Sequence, residues 1–330
     1  MNIAVVILNW NGKGLLQQFL PSVIEFSPEA QIILADNAST DDSINYVETH
    51  FPHVRIIRNR TNGGFAKGYN DALKHVDADI ICLLNNDVEV TQNWLDPIIS
   101  RFSQESDTAI IQPKICDLKN KDHFEYAGAG GGFIDKYGFP YCRGRLFETL
   151  EKDQGQYDDF TEIFWASGAC LFIRKNTFDQ LEGFDESFFA HMEEIDLCWR
   201  VFNSGGRIKY EGQSVIYHLG GATLSNTNPK KTYLNFKNSL FMLVKNLPSG
   251  KVFPVLFIRL MLDGLASLKF LLDGMPLHFL AVLRSHITFF LNLPKLIRTR
   301  KGHTNRNNYY HRTSIVWSYF VNKKRTFDSL

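Results

Sequence analysis

Three observations predict an α/β protein with a mostly parallel central sheet flanked by helices, followed by a C-terminal helical extension. Short apolar runs alternate with segments of helical periodicity up to about residue 229, the rhythm of strands joined through crossover helices. Ile80 to Leu84 (IICLL) is apolar on both faces and too short for an ordinary helix, which suits a central strand covered on both sides. From Lys230 onward the texture changes to long apolar helical stretches broken by prolines.

Taken in order, Asn2 to Leu8 is the first strand, and it ends abruptly at Asn9-Trp10-Asn11-Gly12. Leu15 to Phe26 has helical spacing despite Pro21. Gln31 to Leu34 is a second strand closed by Asp36-Asn37-Ala38-Ser39, where Ser39 and Asp42 have the form of a capping box for a helix from about Asp41 to His50. Val54 to Ile57 is a third strand. Asn62-Gly63-Gly64 then opens a helix over Tyr69 to His75, and such paired glycines let backbone N–H groups approach an anion, with Lys67 adding charge. After the central strand come a helix at Trp94 to Phe102 and a strand at Ala109 to Ile115. Tyr126 to Tyr141 reads as a loop or mobile hairpin, Glu148 to Glu162 as acidic loop, and Ile163 to Ile173 as a strand-like run relieved at Ser167-Gly168-Ala169. A helix starting near Glu193, Glu194 and Asp196 runs through Arg200, and Val215 to Tyr217 is a short strand ending at His218.

The 330 residues suffice for one or two domains, and 44% hydrophobic with 22% charged residues describes an ordinary globular chain. A net charge of +1 gives no reason to expect nucleic acid as a partner. The charge is uneven, however. Between Lys295 and Arg325 the chain carries cations, Lys301 and Arg312 among them, and no acid; such a tail suits an anionic surface or simple solvation. Five scattered cysteines, without a CxxC pair, argue against a zinc site or disulfide framework and fit a reducing compartment. The first residues read as a strand rather than a signal peptide, so the expectation is a cytoplasmic catalytic part. Tyr233 to Leu247 and Phe253 to Leu296 contain no uncharged run near the ~18 residues of a spanning helix. They are expected to lie on a membrane, pack on the preceding domain or form a homodimer seam.

Two places carry the chemistry. Asn85-Asn86-Asp87 follows the central strand, and ligands of open α/β sheets bind outside the carboxyl ends of strands. A carboxylate there can hold a divalent cation whose other ligands come from substrate phosphates. The adjacent Glu193 and Glu194, behind Phe188, Phe189 and Met192, offer a general base, or else simply complement the helix dipole.

From about Ile3 to Leu224 the chain resembles the inverting, GT-A-fold glycosyltransferases of family 2, especially bacterial rhamnosyltransferase-like members. VVILNWNG looks like the family's first strand and nucleotide loop (Asn9, Asn11), and LADNASTDDS resembles its base-binding element, with Asp36 toward the base. NGGFAKGYNDAL is similar to the segment near the ribose and diphosphate, which implicates Asn62, Gly64, Lys67 and Asn70. LLNNDVEV stands where the DxD motif belongs, with Asn85 for the first Asp and Asn86 between, so the metal role falls on Asp87. WASGACLFIRK looks like the acceptor-side segment (Trp165, Gly168, Ala169). MEEIDLCWR resembles the element whose second acid is the base; that is Glu194, with Glu193 as the alternative, and His218 matches a late metal- or diphosphate-holding histidine. The resemblance implies a nucleoside-diphosphate-sugar donor, Mg²⁺ or Mn²⁺, and a glycan or lipid-linked saccharide acceptor in cell-surface polysaccharide synthesis; the apolar helical segments with the basic tail after them lead to the expectation of a peripheral place on the inner face of the plasma membrane. It divides the chain into a GT-A domain, 1–229, and a helical, basic region, 230–330. A dinucleotide oxidoreductase is disfavoured because no GxGxxG follows the first strand. A non-catalytic sugar-nucleotide-binding or scaffold protein of the same fold is the alternative, disfavoured by the presence of both acid clusters.

Overall fold

A computed structural model describes residues 1–220, 228–300 and 306–330; Gly221, Leu224 and Lys301 lie outside the described residues. The first half forms strands β1 (Ile3–Asn9), β2 (Ala30–Asp36), β3 (Arg55–Arg58), β4 (Ile80–Asn85), β5 (Val88–Val90) and β6 (Thr108–Asp117). They alternate with helices α1 (Lys13–Glu25), α2 (Ser43–His50), α3 (Gly64–Leu73) and α4 (Leu95–Gln104). A small antiparallel sheet follows, made of β7 (Gly132–Ile134), β8 (Pro140–Cys142), β9 (Arg145–Leu146) and β10 (Thr149–Leu150). Then come β11 (Phe160–Glu162), β12 (Cys170–Arg174), α5 (Lys175–Gln180), α6 (Glu193–Asn203) and β13 (Arg207–His218). The C-terminal region contains α7 (Pro229–Asn246), α8 (Val252–Leu272), α9 (Pro276–Thr299) and α10 (Ile315–Phe320).

The main sheet has the order β11-β13-β6-β12-β4-β1-β2-β3, with β5 paired to β13. β1 runs parallel to β2 and β4, β2 to β3, and β6 to β13, while β12 enters antiparallel between β4 and β6. Both faces are dry. Along β1 the side chains alternate between two apolar cores, Ile3, Val5 and Ile7 facing α1 while Ala4 and Val6 face α3. Every residue of Ile80–Leu84 is buried, as a central strand requires. The parallel strands β1, β2 and β4 therefore bring Asn9, Asp36 and Asn85 to one rim.

Several elements differ from expectation. The helix after the paired glycines begins at Gly64, five residues earlier than its apolar periodicity suggests. Ser39 caps nothing: its hydroxyl accepts the Asn11 N–H at 2.9 Å, and Asp41 takes the Ser43 N–H at the start of α2. The run Ile163 to Ile173 is a strand only from Cys170, because the preceding segment turns aside to receive Gly132 against Trp165. Within the Tyr126 to Tyr141 segment, Gly128 to Asp135 is buried and Gly132–Ile134 pairs with Pro140–Cys142 as a hairpin.

α7 packs along α6, and the apolar stretch beyond it is two helices, α8 and α9, broken where Gly274 turns left-handed (φ +74°) and Pro276 opens α9. A buried Arg259–Asp263 ion pair, with Arg259 Nη1 donating to Gly138 O at 3.0 Å, ties α8 to the β7–β8 turn. The end of the chain is docked rather than loose. Phe327 packs 5.2 Å from Phe133, Tyr309 packs 5.0 Å from Trp199, and Ile315 N–H donates to Asp135. Among the described residues no helix is long and apolar enough to cross a membrane.

Candidate active site

The rim begins with an asparagine-centred lattice. Asn9 is fully buried; its side-chain amide donates to Ser43 Oγ at 3.1 Å and lies 3.5 Å from Asp36 Oδ1, and its Oδ1 accepts from Asn86 Nδ2 at 2.9 Å. Asp36 Oδ2 takes the Ser39 N–H at 3.0 Å, which leaves Oδ1 with only the weak Asn9 contact. Asn11 turns left-handed (φ +51°), and its Oδ1 accepts the Thr40 N–H at 2.7 Å, locking the two loops together. Asn62 Oδ1 accepts from Gly64 N and from Asn37 Nδ2, both at 3.0 Å. Gly64 itself has φ +81°, and a Cβ there would stand 2.5 Å from Phe189 O, so only glycine fits. Beside this lattice the Trp10 ring stands about half exposed. Sequence reasoning passed over it as a turn residue.

Asp87 and His218 are brought together by backbone pairing. Val88 of β5 pairs with His218 of β13, and Leu219 N–H donates to Asp87 O at 3.0 Å. His218 Nε2 consequently lies 3.1 Å from Asp87 Oδ1, and its Nδ1 lies 3.4 Å from Glu125 Oε1, all three groups buried. Burial opposes charge on the imidazole, but the two facing carboxylates outweigh it and raise His218 to about 10. Glu125 belongs to no motif in the sequence and was missed for that reason. Among the described residues no group of three or more His, Cys, Asp or Glu side chains is arranged to hold a metal by itself. Once an incoming cation displaces the proton from His218 Nε2, Asp87 and His218 would supply a carboxylate oxygen and an imidazole nitrogen, a donor set that fits an ion taking its other ligands from a diphosphate and water. Glu125 would then steady the far ring nitrogen.

The second acid cluster opens α6. Glu193 is 4% exposed and Glu194 half-buried, and one oxygen of each, Oε2, lacks a hydrogen-bond partner among the described residues. Burial raises both carboxyls, Glu193 further because Glu194 is its neighbour, while backbone N–H groups at the helix start restrain Glu194 to about 7. The loop leading in is strained: Phe189, His191 and Met192 have φ of +64°, +69° and +72°, costing on the order of 1 kcal/mol each. Buried Asn238 of α7 holds this loop, donating to the carbonyls of Phe188, Ala190 and His191 at 3.0, 2.9 and 2.7 Å. Phe189 O accepts the Phe65 N–H at 2.9 Å, so the loop closes onto the Gly64 turn.

Not every expected residue faces the site. Lys67 is paired with Asp71 at 2.8 Å and lies 3.8 Å from Glu186 rather than being free for an anion. Asn70 braces the incoming loop through Phe184, accepting its N–H at 2.9 Å and donating to its carbonyl at 2.8 Å. Trp165 is buried, its indole N–H donates to Phe133 O at 2.8 Å, and its ring covers Gly132; it supports the wall from behind and offers no face to an acceptor. Gly168 lies against the Phe65 ring, and Ala169 O accepts the Asn85 N–H at 3.0 Å.

The fold that carries these residues is that of the GT-A glycosyltransferases. The structure of GalNAc-T7 with UDP, GalNAc and Mn²⁺ superposes with a TM-score of 0.58 at 18% identity, covering 76% of this chain and 48% of that one. S. aureus TarS 1-349 in complex with UDP-GlcNAc gives 0.57 at 15% identity, covering 93% of both chains. The chain belongs to glycosyl transferase family 2, whose sequence profile matches residues 4–181, more than half of its length. Among curated relatives, the Mycobacterium tuberculosis N-acetylglucosaminyl-diphospho-decaprenol L-rhamnosyltransferase is 25% identical over 235 residues, covering 66% of this chain and 75% of its own. The profile match stops before Glu193, Glu194 and His218, so their placement rests on the geometry above.

Proposed function

We propose that this glycosyltransferase moves a sugar from a nucleoside-diphosphate-sugar donor to a hydroxyl of a lipid-linked saccharide, with inversion, in the building of a cell-surface polysaccharide. The carrying observation is the Asp87–His218 pair on the same sheet rim as the nucleotide-side lattice, with the Glu193–Glu194 pair opening α6 nearby. Asp36 Oδ1 is left to accept an N–H from the base, and the exposed Trp10 ring gives the base a surface to stack on. Asp87 and His218 would hold Mg²⁺ or Mn²⁺, which when bound neutralises charge on the departing diphosphate. Glu194 takes the proton of the attacking hydroxyl at its unpartnered Oε2. Burial and the neighbouring Glu194 push Glu193 up further than Glu194, so Glu194 is the one of the pair that ionises more readily. One base and no protein nucleophile mean single displacement.

The lipid-linked acceptor is supported by the C-terminal helices. α8 exposes Phe253, Phe257 and Leu272 at 69%, 69% and 87%, and α9 exposes Leu277, Ile287 and Leu291 at 63%, 62% and 78%. An apolar face of this extent on two helices suits peripheral attachment to the inner face of the plasma membrane. The relative named above acts, by its name, on a diphospho-decaprenol acceptor. Turnover of UDP-, dTDP- and GDP-sugars with Mg²⁺ or Mn²⁺, read as nucleotide release, tests the enzymatic reading. Release from one donor class that is abolished by chelation supports it. No release from any donor, with nucleotide still bound, would favour the non-catalytic alternative.

A further inference from the structure

Where α7 begins, it parts from the first turns of α9 and leaves an open groove of about 480 Å³. Its apolar wall is formed by Leu234, Leu277 and Leu280 with the ring of Tyr233, Lys230 and Arg284 border it, and no acid lines it. Neither cation has a carboxylate partner among the described residues. Arg284 lies 5.1 Å from the Tyr233 ring, and Lys230 Nζ lies 5.5 Å from the Phe189 ring. Phe189 belongs to the strained loop that closes on Gly64, so the Lys230 border of the groove adjoins the active site. In the other direction Leu277 and Leu280, 63% and 55% exposed, continue into the apolar face of α9 at Leu283 and Ile287.

The groove thus offers two cations without a carboxylate partner among the described residues, beside an apolar channel, with one border at the site and the other at the exposed apolar face of α9. We propose that it binds the diphosphate and first isoprene units of a polyprenyl-linked acceptor, presenting the attached sugar to Glu194. This rests on the lipid-linked acceptor reading above and adds to it a site and a chemical class. A phospholipid has an anionic head and apolar chains too, but nothing about it requires the groove to open at the catalytic loop. An isoprenyl diphosphate carrying a sugar does.

The probe is farnesyl diphosphate, titrated into the full-length protein by tryptophan fluorescence with Mn²⁺ and the nucleotide selected by the turnover screen held at saturation. It should bind alongside the nucleotide. Arg284→Glu should weaken it by about tenfold or more through loss of a charge-assisted contact, and Leu280→Asn by a smaller factor, with nucleotide affinity unchanged in both. Both positions are exposed, and Arg284→Gln serves if the charge reversal impairs folding. Farnesol, inorganic pyrophosphate and dihexanoyl-phosphatidylglycerol should each bind much more weakly than the probe. Displacement of the probe by nucleotide, indifference to both substitutions, or equal binding of the phospholipid overturns the proposal. Those outcomes leave donor turnover standing; loss of nucleotide binding and turnover in the unmodified protein would instead remove the reading beneath it.

Discussion

Two acidic sites stand on this molecule and are built in opposite ways. Asp87 arrives with its partner already in place: a backbone ladder sets His218 against it at 3.1 Å, and Glu125 backs the imidazole. Glu193 and Glu194 arrive at the end of a strained loop with an oxygen each unpartnered and their acidity weakened by burial. A carboxylate held in register by its neighbours is suited to gripping a ligand of fixed geometry. A desolvated carboxyl with one oxygen left open and a pKa near neutrality is suited to moving a proton. On the proposed function the difference separates binding from chemistry, and it can be broken at either end.

The largest quantified effect belongs to the unpartnered site. Glu194→Gln should lower kcat about 10²–10⁴-fold while donor affinity barely moves, since a base contributes that much and acts on the other substrate. Should Glu193→Gln show the large loss and Glu194→Gln none, the roles within the pair are reversed. Next is the pH profile. With Glu194 at about 7, kcat should fall roughly tenfold per pH unit below that value and level off above it. The Glu194→Gln variant should lack that limb.

A smaller effect appears in stability. The Glu194 carboxyl is raised in the fold from its ordinary 4.5 to about 7. Below pH 4.5 it is protonated in both folded and unfolded chains and contributes nothing. As pH climbs from 4.5 toward 7 the unfolded chain ionises first, so the native state loses stability, and the loss persists above 7. Thermal melts from pH 5 to pH 8 should decline less in Glu194→Gln than in the parent protein; equal slopes would mean that this carboxyl is not desolvated in solution.

The apolar segments offer a parallel contrast. Ile80–Leu84 and α8 both read as apolar, yet the strand is wholly buried while α8 exposes one face. Flotation of the full-length protein with anionic vesicles, and a version ending at Leu247 that remains below, is the outcome expected of a membrane face. Failure to float with any lipid, together with dimeric migration, would assign that face to a second copy.

Much of the site was legible because strand ends write themselves as abrupt changes of composition. Asn9, Asp36 and Asp87 each follow an apolar run, and parallel pairing of β1 with β2 and β4 puts the first two on the rim where Asn85 ends its strand. Glu193 and Glu194 were legible as acids opening a helix. Contacts made between distant segments were not. Glu125 reaches His218 only through the fold, Trp165 turns inward because Gly132 leaves room for its ring, and Lys67 is claimed by Asp71 one turn along its own helix. The basic tail carried a charge signal but no sign that Tyr309 would pack on Trp199 of α6 and Phe327 on Phe133 of the small sheet. Aromatic residues spaced without a period announce nothing locally.

The central proposal is that Asp87, held by His218, would hold the divalent cation that offsets charge on the donor diphosphate. Calorimetric titration of the donor nucleotide into the parent protein and Asp87→Asn, each with and without Mn²⁺, tests it most directly. Binding strengthened by Mn²⁺ in the parent, with that strengthening lost in a folded Asp87→Asn, is the expected result. An unchanged response to Mn²⁺ in the variant would contradict the assignment and leave the pair a structural contact.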